Sequence, residues 1–134
     1  MTIKFKIERP ASRCYINYMN AYIPATTGVF LDGVRVGVIV GADAKYMSNI
    51  KWSFYLHRGE TTGPEINESD LNIYKFALTR RTSFGGWMEP TKKEFKAAIT
   101  VWLEKWGADL LKSQTREDMR NLRKIANDER MGRI

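Results

Sequence analysis

The stretch "GVFLDGVRVGVIV", residues 28–40, decides how the rest of the chain is read. Two β-rich runs flank Asp32-Gly33, a dipeptide that tolerates the positive φ angles of a type I′ turn, so the segment predicts a β-hairpin. Gly33, Gly37 and Gly41 lack the spacing of a dinucleotide-binding or Walker loop, and the residues between them favour strand. Strand side chains alternate between faces. Val34, Val36, Val38 and Val40 are therefore expected on one face, and Arg35, Gly37 and Ile39 on the other, with Phe30 beside Arg35 across the turn.

Upstream, "IKFKI" at 3–7 alternates with period two, placing Ile3, Phe5 and Ile7 inward and Lys4 and Lys6 outward. Downstream, "IKWSFYLHR" at 50–58 puts Ile50, Trp52, Phe54 and Leu56 on one face and Lys51, Ser53, Tyr55 and His57 on the other. "GETTGPEINES" at 59–69 is expected to be a polar connecting loop.

From Ser69 the period changes. "SDLNIYKFALTRR" has apolar residues at 71, 74 and 78, with Ser69 as its expected N-cap. Thr91 and Glu94 form a capping box directly after Pro90. Phe95, Ile99, Trp102 and Trp106 then share a helical face, with Gly107 a place for that helix to end or kink. A last helix is expected from near Thr115, with Asp118 completing its cap and Met119, Leu122 and Ala126 as its stripe. The expected fold class is α+β: an antiparallel sheet of three or more strands packed on one face by two or three C-terminal helices. Residues 1–134 are expected to form a single domain, strand-rich over 1–60 and helical over 69–131.

With 134 residues the chain can bury a core without staples. Its single cysteine, Cys14, rules out an internal disulfide. No run approaches the roughly 20 apolar residues that cross a bilayer, and the charged, alternating N-terminus is unlike a secretory signal. A cytoplasmic location without membrane association is expected. The formal net charge is +7, and it is uneven. Residues 1–70 hold 8 basic and 7 acidic side chains, whereas 71–110 and 111–134 each hold 7 and 4. Such a field draws nucleic acid or an acidic protein surface.

Catalytic equipment is sparse. One histidine, His57, and one cysteine on separate segments supply neither a nucleophile with its base nor a zinc site. No enzyme activity, cofactor or metal is expected. The outward sheet positions are more informative: Lys4, Lys6, Phe30, Arg35, Lys51, Tyr55 and His57 contain no acid. Cations interleaved with aromatic rings suit phosphate contacts and base stacking. A solvated sheet face with protective lysines is the competing reading. Arg116, Arg120, Arg123 and Lys124 make a second basic face on the last helix, which neighbouring acids can neutralise. In "TRRTSFGGWMEP", 79–90, Arg80 and Arg81 fall at a helix C-terminus, where the dipole favours cations.

Strand, Asp-Gly hairpin, Trp-bearing strand and helix over 29–80 are similar in outline to small three-stranded sheet modules that bind DNA. No diagnostic motif accompanies that outline, and an outline alone does not carry function. The expected function is that of a small basic non-catalytic binding protein, a nucleic-acid-binding module. The alternative is an inhibitor or adaptor, of the kind mobile elements make, that occludes an acidic or nucleic-acid-binding surface of a partner.

Overall fold

The computed structural model describes residues 1–10, 12–16, 19–23, 25–41, 52–71 and 91–132. The strands are β1 (Ile3–Arg9), β2 (Ser12–Ile16), β3 (Met19–Ile23), β4 (Thr26–Leu31), β5 (Val34–Gly41), β6 (Trp52–Arg58) and β7 (Thr61–Ile66). Two helices follow, α1 (Lys92–Lys112) and α2 (Arg116–Arg130). Strands β1, β4, β5, β6 and β7 form an antiparallel sheet in that order, and β2 and β3 form a separate two-stranded sheet. The architecture is α+β, with the helices packed on one face of the five-stranded sheet.

The hairpin turns where expected. Asp32 has φ 50° and Gly33 φ 80°, the doubly left-handed geometry of a type I′ turn. Thr2 fastens the turn to β1: its N–H donates to Asp32 Oδ1 at 2.7 Å, and its carbonyl accepts from Asp32 N at 2.8 Å.

Simple alternation fails in the second arm. Val29 pairs with Gly37 but Phe30 pairs with Arg35, so Val36 is an extra residue in β5, a β-bulge. Beyond it the faces exchange. Gly37 and Ile39 lie on the core face, and Val38 and Val40 on the outer one, the reverse of the expected assignment. Ile39 is fully buried opposite Phe54. At Gly37 an added Cβ would lie 2.2 Å from Phe54 Cε1 and 2.6 Å from Tyr55 O, so only glycine fits between these strands. Val34, expected inward, sits at the hairpin tip and is exposed.

Residues 61–66 are also a correction, being a strand where a loop was expected. The turn before it uses Gly59 at φ 58°. The β6–β7 register shifts between Tyr55 and His57, so Leu56 faces the Gly63-Pro64 pair. Proline and glycine are tolerated because β7 is an edge strand and the irregularity takes them up. The hairpin β2–β3 has no counterpart among the sequence-based expectations.

Helix α1 begins at the expected capping box, with Glu94 N donating to Thr91 Oγ1 at 3.2 Å. It does not end or kink at Gly107. That residue is buried, and an added Cβ would come within 2.7 Å of Leu31 Cδ2, so the glycine lets helix and sheet approach. Helix α2 has a second capping box, Thr115 with Asp118, and buries Met119, Leu122 and Ala126 as expected. Met119 Sδ would lie 2.7 Å from a Cβ at Gly63, which places α2 directly over β7. Trp106, expected in the core, is only partly buried at its edge. Val29, Leu31, Ile39, Phe54, Leu56, Ile66, Phe95, Ile99, Leu103, Leu110 and Met119 fill the space between sheet and helices. Burying each such side chain stabilises the fold by about 1.5–3 kcal/mol.

The helix expected over 69–81 lies largely outside the described residues. Before it, residues 67–71 form a turn closed by reciprocal bonds: Asp70 N donates to Asn67 Oδ1 at 3.0 Å and Asn67 N to Asp70 Oδ2 at 2.9 Å.

Candidate functional site

Strand order makes the outward residues contiguous. One row runs Lys4, Phe30, Arg35 across β1, β4 and β5, and His57 on β6 lies beside Arg35 and opposite Thr62. The adjacent row runs Lys6, Gly28, Val38, Tyr55, Glu65. The two rows stand about 7 Å apart, two residues along β1, β4 and β6 and three along β5 and β7, where the irregularities add one. Lys4 and Lys6 are exposed and form no ion pair among the described residues, while Phe30, Arg35, Tyr55 and His57 are half-buried.

The face is not free of acid, which corrects the expectation. Glu8 stands at a β1 bulge, since Ile7 pairs with Thr27 and Arg9 with Thr26. Its carboxylate reaches across β4 to Arg35. Arg35 Nε donates to Oε2 at 2.8 Å and Nη2 to Oε1 at 2.7 Å, a two-toothed ion pair. The crossing depends on Gly28, where an added Cβ would meet Glu8 Oε2 at 2.6 Å. Arg35 Nη1 lies 3.1 Å from His57 Nδ1. A guanidinium cannot accept, so a hydrogen bond between them is one that Arg35 donates to Nδ1 of a neutral ring. The hydrogen bonds from Arg35 hold the Glu8 carboxyl below its ordinary range, against the opposing effect of burial. Farther along, Ser53 Oγ donates to Glu65 Oε1 at 2.6 Å. Alternation carried one residue past Ile7 places Glu8 on this face with Lys4 and Lys6; its reach across β4 to Arg35 depends on strand order, which the sequence does not show.

The second basic face also changes. Arg123 is committed to the fold, donating from Nε and Nη2 to the buried Asp70 carboxylate at 3.1–3.3 Å. Asn127 Nδ2 adds a bond to Asp70 Oδ1 at 2.9 Å. This cluster ties α2 to the turn after β7. Arg116, Arg120 and Lys124 remain exposed on α2, on the helical side of the molecule and away from the outer sheet face. Lys51, Arg80 and Arg81 lie outside the described residues, as does the Cys14 side chain.

Among the described residues, no three His, Cys, Asp or Glu side chains converge to hold a metal ion, and no helix is long and apolar enough to cross a membrane. No family model, curated protein or solved structure matches the chain.

Proposed function

We propose that the protein is a nucleic-acid-binding module that lays a single strand across the outer face of its sheet. Lys4 and Lys6 take phosphates along the β1 edge, and Phe30 and Tyr55 offer rings to unpaired bases. The observation that carries this reading is the register. Lys4 is the direct cross-strand partner of Phe30, which pairs with Arg35, so cations and a ring alternate in that row, and the adjacent row has Lys6 at its edge and Tyr55 farther in. Single strands are favoured over duplex because stacking on a sheet requires bases that are not already paired.

The test is fluorescence anisotropy with labelled single-stranded and duplex oligonucleotides at rising salt. The single strand binds more tightly, and binding falls as salt rises. Removing both Lys4 and Lys6 lowers the magnitude of the salt slope by about 1.4, two phosphate contacts on a single strand. Tyr55→Ala weakens the single-stranded complex by about 1–3 kcal/mol and spares the slope. Absence of binding to either form at low salt removes the reading. The second reading is an inhibitor or adaptor that places the same cations on an acidic partner. A partner retained after nuclease treatment distinguishes the two.

A further inference from the structure

A carboxylate lying across a face that attracts anions needs a reason, and its position depends on three separate features. Its place two residues after Lys6 puts Glu8 on the outer face, Gly28 clears its path over β4, and Arg35 receives it with two parallel hydrogen bonds. The same guanidinium edge engages two oxygens of a phosphate in the same manner.

We propose that Arg35, flanked by His57, is an oxyanion seat for one backbone phosphate of a nucleic-acid strand, and that Glu8 fills this seat as an internal substitute until the strand displaces it. The proposal rests on the nucleic-acid reading for the identity of the strand. Both side chains keep about a third of their surface exposed, 33% for Arg35 and 30% for Glu8, so the pair is reachable. Glu8 belongs to the edge strand, and once released its charge can turn outward to solvent. Arg35 shares its row with Lys4 and Phe30, so a strand held by those residues carries a phosphate past the seat. A ligand with one phosphate competes against a tethered carboxylate and loses. A strand anchored at Lys4 and Lys6 presents its phosphate at high effective concentration and wins.

The experiment uses the full chain, with the His57 ring resonances as reporter and inorganic phosphate as probe, beside oligonucleotide binding. Glu8→Gln keeps the shape and removes the charge. In that variant His57 responds to millimolar phosphate, whereas in the wild type it does not. Glu8→Gln also binds the single-stranded oligonucleotide at least about threefold more tightly, with the salt slope unchanged, because the wild-type strand already places a phosphate in the seat. Combining it with Arg35→Ala abolishes both gains. Glu8→Asp retains the charge but shortens the reach by one methylene, and it gives the same phosphate response if Glu8→Gln fails to fold. A folded Glu8 variant whose His57 ignores phosphate overturns the seat, whatever the oligonucleotide does. A phosphate response without oligonucleotide binding in any variant supports the seat and instead removes the nucleic-acid reading.

Discussion

The two faces of the five-stranded sheet are built from the same strands and behave as different materials. On the inner face Val29, Leu31, Val36, Ile39, Phe54, Leu56 and Ile66 are all fully buried. On the outer face Phe30, Arg35, Tyr55 and His57 are half-buried and Lys4 and Lys6 exposed. The bulge at Val36 keeps Arg35 beside Phe30 on the outer face while turning Ile39 into the core, and Gly28 leaves room for the Glu8 carboxylate to reach Arg35. Inner positions hold the fold, and outer positions are free to bind.

Adjacent residues on β6 give the sharpest contrast. Phe54→Ala should cost about 3–5 kcal/mol, because it empties a fully enclosed space between sheet and helices. Tyr55→Ala, one residue on, should cost under about 1 kcal/mol, as a change away from the core does. Equal losses in thermal or denaturant unfolding of the two variants would break the distinction between faces.

The cations of α2 extend the comparison to the helical side. Arg123→Ala strips the buried Asp70 of its charged partner, and because Arg123 is itself partly exposed the expected loss is about 2 kcal/mol, below that for a fully buried pair. Arg120→Ala should leave unfolding within about 0.5 kcal/mol of wild type. If the two variants melted alike, Asp70 would not be the anchor of α2.

Thr91→Ala should cost about 1 kcal/mol, since the hydroxyl accepts from Glu94 N at the start of α1. That cap is legible in the amino-acid sequence, as are the type I′ turn, the β6 alternation and the α2 stripe. Each rests on a local pattern in which neighbouring residues agree. The strand misreadings share one physical cause: the Val36 bulge and the Gly63-Pro64 irregularity in β7 depart from local pattern where a tertiary contact outweighs local preference. Composition alone marks Gly63-Pro64 as a loop, because the edge position that tolerates the pair is a property of the sheet. Lys4, Lys6, Phe30, Arg35, Tyr55 and His57 all lie on the face that alternation assigns them. Their contiguity required strand order, and so did the reach of Glu8 to Arg35.

The smallest expected effect concerns acid. The folded state holds the Glu8 carboxyl below its ordinary value of 4.5, chiefly through the hydrogen bonds from Arg35. A depressed folded pKa contributes stability that is complete above the unfolded pKa and is lost as pH falls through the folded one. Glu8→Gln should therefore be slightly less stable than wild type near neutrality. The gap should close as pH falls below about 4.5. A gap that stays constant, or widens toward acid, would mean the carboxylate charge is not what Arg35 holds.

If the outer face binds and the helical side does not, amide chemical-shift mapping will separate them in one titration. With a short single-stranded oligonucleotide at low salt, we predict shifts at Lys4, Lys6, Phe30, Arg35, Tyr55 and His57. Met119, Leu122 and the rest of α2 should remain still. Shifts confined to α2, or none at saturating oligonucleotide, would contradict the assignment of binding to the outer face.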